Sequence, residues 1–324
     1  MKRILSLGAA LQDIYLMDHD DLGSVEMNGT PILGKVVAGS KVDIDRLYFQ
    51  VGGGGLNSAV SFARYGHETI LMANVAEDAA GEAVLAALDA EGIDNSYMGF
   101  ERRGGTGTSV ILLDSLSGER TVLTYRGASR SFGNFSEEDL ELARPDWLYI
   151  TTVGGDMDTL ERFIQKAHEM GAKVMLNPGE AEIRETKKLL GLLEDIDVLM
   201  VNKEEATGIV PGVLLTELAY RLSNYAPIII VTDGGMGGIA TNAMTGETYR
   251  YGIYEDVRTK DATGAGDAFG AGFLAAYADG QDFAEALKYA SANSTSVIQQ
   301  VGANAGALYG DDALHMMPMQ RIEL

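Results

Sequence analysis

A carboxylate one residue past a Gly-Ala-Gly turn is the first feature of this chain that could do chemistry. In "DATGAGDAF", residues 261–269, Asp267 follows Gly264, Ala265 and Gly266 and opens an Ala/Gly-rich run that reads as a helix. A helix N-terminus leaves about four N–H groups unpaired and carries roughly half a positive charge, so it is a natural seat for phosphate. Gly264 and Gly266 would let the backbone approach phosphate oxygens with no Cβ in the way. An Asp beside such an anion hole can take the proton of an attacking hydroxyl while the amides stabilise charge on a transferred phosphoryl group. Its ordinary pKa of about 3.9 keeps it ionised at neutral pH. The plainer reading is a helix cap, a frequent role for Asp. Glycines inside "AFGAGFLAAYADG" weigh against a cap alone, because alanine would be about 1 kcal/mol better there unless a partner or ligand packs closely.

Three further stretches carry candidate groups. In "VGGGGLNSAVSFARYG", four consecutive glycines lead into a helix with Asn57 in its first turn. Backbone amides and an Asn side chain can wall a hydroxyl-rich ligand, and a hinge capped by Asn is the bland alternative. Asp13, just past the first strand, could accept hydrogen bonds from sugar hydroxyls, although a lone acidic loop residue is usually just solvated. In "VLMVNKEEATG", Asn202 ends a strand and Glu205 follows three residues later; these oxygens suit Mg²⁺ or its water shell, or simply an acidic helix start. In "IIIVTDGGMGGIA", Gly235, Gly237 and Ala240 match a G-x-G-x-x-A dinucleotide fingerprint. That fingerprint needs a helix to follow, whereas "ATNAMTGETYRYGIY" reads as a hairpin turning at Thr245-Gly246. A nucleotide-contacting turn is the better reading. No G-x-x-x-x-G-K-[ST] loop and no G-x-S-x-G elbow occur, and His19, His67, His168 and His315 lack metal-ligand spacing.

Such groups need a frame, and apolar runs alternate with amphipathic stretches along most of the 324 residues. Strands are expected at Arg3 to Gly8, Thr69 to Val75, Trp147 to Thr151, Lys173 to Asn177, Val198 to Asn202 and Ile228 to Thr232. Several are apolar on both faces, as in a parallel sheet covered by helices. Leu56, Ala59, Val60 and Ala63 repeat with helical spacing, as do Val84, Leu85 and Leu88 before a stop at Gly92. The pattern is doubly wound α/β. Ile14 to Gln50 and Phe100 to Arg126 read as strands and turns only, with a hairpin signal near Ser117-Gly118, and both could build one small sheet over the main domain. The opening "MKRILSLGAALQD" is weighed as a signal peptide and read as a first β-strand, since no clear cleavage pattern follows. No apolar run reaches the ~18 residues of a membrane helix.

The formal charge of −22 opposes binding to nucleic acid or anionic lipid, leaving anionic small ligands to local amides, a metal or a few basic groups. It also suits a high-salt habitat or a solubility margin. The absence of cysteine removes disulfides, thiolate metal sites and cysteine nucleophiles, consistent with a cytoplasmic protein.

Taken in order, "GGGGLN" with "ARYG", "NKEE", "TDGGMGG" and above all "DATGAGDAF" resemble the ribokinase family of carbohydrate kinases, also called the phosphofructokinase B family. The resemblance covers nearly the whole chain, to the C-terminal helix with "YASANSTSVIQQVG". It implies a single ribokinase-like α/β domain over 1–324, with a β-sheet lid from insertions at about 14–50 and 100–126 that often also builds a dimer contact. It implies an ATP-dependent kinase that transfers the γ-phosphoryl group to a hydroxyl, a primary one, of a small sugar or nucleoside. Asp267 is then the catalytic base, and Gly264, Ala265 and Gly266 the anion hole. Asn202 and Glu205 organise Mg²⁺ and phosphate; Thr232, Gly234, Gly237 and Ser291 contact the nucleotide. Asp13, Gly53, Gly54 and Asn57 fall on the substrate wall. Asp261 and Thr263 match positions linked to monovalent-cation (K⁺) activation in relatives, with Ala262 replacing the usual Thr or Ser. Leu11 stands where ribokinases carry Asn, Gly54 where they carry Lys, and a Thr or Val near Thr151 to Val153 where an acidic sugar contact is expected. Ribose, nucleosides, hexoses and sugar acids therefore stay open as acceptors. A noncatalytic sugar or nucleotide sensor on the same fold and a dinucleotide-dependent oxidoreductase are the alternatives.

Overall fold

The computed structural model describes all residues except 18–23, 28–29, 34–40, 42, 103, 114–119, 255–256, 313, 315–316 and 324. The hairpin signal at Ser117-Gly118 lies outside the described residues. The chain opens with β1 (Arg3–Leu7), β2 (Leu11–Met17), β3 (Ser24–Met27), β4 (Thr30–Leu33) and β5 (Arg46–Gly52), then α1 (Gly54–Tyr65). Next come β6 (Glu68–Met72), β7 (Asn74–Ala76), α2 (Ala79–Ala90), β8 (Gly99–Glu101), β9 (Gly107–Leu113) and β10 (Arg120–Tyr125). Helices and strands then alternate: α3 (Glu137–Ala143), β11 (Trp147–Ile150), α4 (Met157–Glu169), β12 (Lys173–Leu176), α5 (Glu180–Arg184), α6 (Thr186–Leu192), β13 (Val198–Asn202), α7 (Lys203–Ile209), α8 (Leu215–Leu222) and β14 (Ile228–Thr232). The hairpin β15 (Gly238–Asn242) and β16 (Glu247–Tyr251), helices α9 (Ala265–Ala278) and α10 (Phe283–Val297), and β17 (Met319–Arg321) complete it.

The main sheet runs β17-β16-β15-β14-β13-β12-β11-β1-β6. It is parallel from β6 to β14 and antiparallel from β14 to β17. Successive strand residues point to opposite faces, so strands apolar throughout feed two cores at once. Leu5, Leu148, Val174, Leu199 and Ile229 pack on one face with Leu160, Leu189 and Leu218 of α4, α6 and α8. Ile4, Tyr149, Met175, Met200 and Ile230 pack on the other with Phe269 and Phe273 of α9 and Leu287 of α10. The expected doubly wound class is the one found.

One expected strand is two. Thr69 to Val75 breaks after Met72, and β7 pairs in parallel with β8 rather than with the main sheet. Asn74 causes the departure: its Nδ2 donates to Ser131 O at 2.6 Å and Asn134 Oδ1 at 2.8 Å, drawing the chain toward another segment.

A second sheet, ordered β10-β9-β2-β5, takes two strands from each of the strand-only segments. Its inner face buries Asp13, Tyr15, Ser109 and Ile111, while Leu47, Phe49, Leu123 and Tyr125 on the opposite face stay exposed. Strands β6 and β11 flank β1 on opposite sides, so the chain reverses its direction of travel across the sheet at the β1/β11 gap. Ligand crevices in open α/β sheets form beyond the carboxyl ends of strands at such a point. Gly8 and Thr151, which follow β1 and β11, touch there: a Cβ on Gly8 would lie only 2.0 Å from Thr151 Oγ1.

Candidate active site

Helix α9 starts at this crevice. Its N-cap, Gly264, has φ 78°, and no side chain caps its first turn. A Cβ on Gly264 would meet Ala303 O at 2.1 Å, so both the left-handed turn and the close approach require glycine. Asp267 does not cap the helix. Its Oδ2 accepts from Asn57 Nδ2 at 2.8 Å, across from α1. Burial pushes the Asp267 carboxyl up from the usual carboxylate range, and the Asn57 hydrogen bond holds it back. Asn57 is likewise no helix cap, because the N-cap of α1 is Gly53 with φ 96° and no side-chain bond. The bland readings of both residues therefore give way to their mutual contact.

Across the crevice, Asp13 is 3% exposed and its carboxyl is pushed up to about 7 by burial, and by the charges of Asp261 and Asp267, opposed by a Ser109 hydrogen bond. A Cβ at Gly52 would strike Asp13 Oδ2 at 2.1 Å; one at Gly54 would lie 3.1 Å from Thr151 Oγ1 and 3.3 Å from Asp267 Oδ1. The glycine run thus makes room for two carboxylates and a threonine. Thr151 Oγ1 is buried with no hydrogen-bond partner among the described residues. The loop behind it is anchored by Glu182, fully buried, which accepts from Val153 N at 2.9 Å and from Gly155 N and Gly179 N at 2.8 Å.

The residues expected to contact a nucleotide gather around one cavity. Thr232, Gly234, Gly237 and Ser291 line it together with Ala265 and Gly266 from the start of α9. Its apolar wall includes Ile253, Val257, Ile298 and the stacked Tyr251–Phe269 pair, whose rings lie 5.2 Å apart. Beyond Gly237 the chain enters strand β15, not a helix, which removes the structural context a dinucleotide fingerprint needs.

Asn202 and Glu205 stand outside that cavity's lining and pair with each other. Glu205 N donates to Asn202 Oδ1 at 2.9 Å and Asn202 N to Glu205 Oε2 at 2.8 Å, a capping box for α7. Here the bland reading holds, although it uses one Glu205 oxygen and leaves Oε1 for other work. Burial raises the Glu205 carboxyl, countered by Asn202 and reinforced by Glu204 and Asp267. No cluster of three His, Asp or Glu suited to a metal occurs among the described residues. A single carboxylate near phosphate is still the donor set Mg²⁺ uses when it keeps most of its waters. Asp261, fully buried, accepts from Thr263 N at 2.9 Å, Thr263 Oγ1 at 2.6 Å and Gly302 N at 3.1 Å.

Sequence reading missed Asn304 and Glu182. Asn304 Nδ2 donates to Asn57 Oδ1 and to Val51 O, each at 2.9 Å. Its one signal was position, since "GAN" follows the last long helix just after Gly302 with φ 110°. No helix among the described residues is long and apolar enough to cross a membrane.

Comparisons with known proteins identify the family. The model of the pfkB family carbohydrate kinases matches residues 1–308. Ribokinase of Bacillus subtilis (strain 168) is 25% identical over 309 residues, 94% of this chain and 96% of that protein. An ATP-dependent ribose-1-phosphate kinase of Halopiger xanaduensis is 28% identical over 255 residues, 78% of this chain and 82% of the relative. The structure of Arabidopsis thaliana ribokinase complexed with ribose and ATP superposes with a TM-score of 0.76 at 21% identity, covering 95% of this chain and 96% of that one. The chain belongs to the pfkB family of carbohydrate kinases, and with it to the phosphotransferases whose acceptor is an alcohol.

Proposed function

We propose that this protein transfers the γ-phosphoryl group of ATP to a hydroxyl, a primary one, of a small sugar or nucleoside. The observation that carries the proposal is Asp267: one oxygen is held by Asn57, and the other faces the space left by Gly54 beside an uncapped helix start. In this reading Asp267 Oδ1 takes the proton of the acceptor hydroxyl as its oxygen attacks the γ-phosphorus, while the bond to the β-phosphate oxygen breaks. Amides of Gly264, Ala265 and Gly266 receive the negative charge on the transferred group. The raised carboxyl of Asp267 makes it a stronger base than an exposed Asp.

Gly53, Gly54, Asp13 and Asn57 form the acceptor wall, and Thr232, Gly234, Gly237 and Ser291 hold the nucleotide. The cavity lined by Thr232, Gly234, Gly237 and Ser291, about 280 Å³, is just below the ~300–1,000 Å³ of small-molecule sites, which suits the nucleoside part with its phosphates at the mouth of α9. Glu205, through its free oxygen and water, would hold Mg²⁺, which when bound neutralises charge on the phosphates. Asp261 and Thr263 would border a K⁺ seat completed by backbone carbonyls, a role read from turnover in KCl against NaCl. The second sheet acts as a lid of one domain, excluding water over the acceptor. Its exposed face is proposed as the contact of a homodimer.

The test is ADP release over D-ribose, D-fructose, inosine, adenosine and an anionic sugar acid, with Asp267→Asn as partner variant. Turnover with one acceptor, lowered by orders of magnitude in Asp267→Asn with ATP affinity kept, is expected. Ligand binding with no ADP release would instead identify a sensor, and near-normal turnover of Asp267→Asn would end the base assignment.

A further inference from the structure

A chain of contacts leads from a backbone carbonyl to Asp267. Val51 O can only accept, so the edge of Asn304 facing it at 2.9 Å is the amide NH₂. The same Nδ2 lies 2.9 Å from Asn57, whose facing atom is thereby its carbonyl Oδ1. Asn57 then has its Nδ2 left for Asp267 Oδ2, 2.8 Å away. Two amides thus pass the polarity of one fixed carbonyl to the carboxylate. The loop bearing Asn304 is itself clamped by Arg64 at the end of α1. Arg64 Nη1 donates to the carbonyls of Asn304, Ala305 and Ala307 at 3.3, 3.2 and 3.1 Å, and its Nη2 pairs with Glu91 at 2.6 Å.

We propose that Asn304 is a positioning residue for phosphoryl transfer: it locks the Asn57 amide so that N–H, and not oxygen, faces Asp267, leaving Asp267 Oδ1 aimed at the acceptor. The proposal rests on Asp267 being the base. Without the Asn304 donor, the Asn57 amide is free to turn over and set its oxygen against the carboxylate. Among the described residues, the titratable groups coupled to Asp267 are Asp13 from β2, Glu205 from α7 and the neutral phenol of Tyr149 from β11, so no cation among them replaces the lost donor.

The test measures kcat and KM of full-length protein with ATP and the panel sugar or nucleoside of highest turnover. Asn304→Leu removes the donor at similar volume, and Asn304→Ala is the variant to use if leucine prevents folding. A fall of about 10- to 100-fold in kcat is expected, with KM for ATP within about threefold of wild type. In an Asn57→Ala background the Asn304 substitution should cost nothing further, because the partner it acts through is gone. A folded Asn304 variant with wild-type kcat, or one whose loss is undiminished in the Asn57→Ala background, overturns the positioning role while Asp267→Asn remains inactive. Near-normal turnover of Asp267→Asn, or no turnover of any panel member by wild type, removes the base assignment and this role together.

Discussion

Asp13 shows how a buried acid is placed at a cost to the stability of the fold. The folded chain holds its proton up to about pH 7, whereas the unfolded chain releases it near 3.8. Through that window the native state binds more protons, so stability falls as pH rises and the penalty is complete above about 7. Asp13→Asn should therefore melt higher than wild type at pH 8, by on the order of a few kcal/mol at most. The gain should vanish below pH 4, and thermal melts at the two pH values check it. In the same variant KM for the acceptor should rise at pH 8, where the wild-type carboxyl is ionised and accepts hydroxyl hydrogen bonds. Asn57 and Asp267 were legible in sequence because each follows a glycine run that has a steric reason to be there, whereas Asp13 was marked only as an acid past the first strand and meets its glycine, Gly52, through folding. Asn304 was not legible, since 247 residues separate it from Asn57 and only the folded loop brings them together. Asn202 and Glu205 were open to two readings in sequence, an acidic helix start and a pair for Mg²⁺ and phosphate, and spacing alone could not separate them because the capping box they form leaves one Glu205 oxygen unused.

Within α9 two glycines serve different ends, and substitution separates them. A Cβ at Gly270 would lie 2.4 Å from Tyr149 Oη and 2.8 Å from Met200 Cε, under the sheet. Gly270→Ala should destabilise by about 1–3 kcal/mol through overpacking, outweighing the roughly 1 kcal/mol that alanine gains in a helix. At Gly266 a Cβ would meet no atom within 4 Å, because the space in front of it is the open mouth of the cavity. Gly266→Ala should leave the urea midpoint unchanged or raise it, yet reduce kcat/KM for ATP by crowding the phosphate. Sequence pattern placed the helix and marked its glycines as costly. It set Gly266 apart as a residue for phosphate approach but left Gly270 open between a packing partner and a ligand, and the fold sets Gly270 against Tyr149 and Met200. The split of β6 from β7 was hidden for a related reason: apolar residues continue across Asn74, and only its long-range hydrogen bonds turn the chain aside.

At the scale of the whole molecule, surplus charge and an apolar sheet face pull in opposite directions. Phe49, Ile14, Val110 and Leu123 stand in register across the four strands of the second sheet. Phe49 and Leu123 are each 59% exposed, and an apolar row of this kind marks an interaction surface. Two copies meeting there would each bring a formal charge of −22, a repulsion that salt screens over a Debye length of about 10 Å at 0.1 M. Self-association should therefore strengthen with ionic strength, unlike contacts built on ion pairs, which salt weakens. Sedimentation of the wild-type chain is expected to move from one copy toward two between low salt and about 0.5 M KCl, where charges are screened within a few ångströms. Phe49→Glu combined with Leu123→Glu should keep the protein monomeric throughout, by placing carboxylates in the middle of the row. A wild-type chain that stays monomeric at high salt would remove the dimer from the proposed function and leave the sheet as a lid alone.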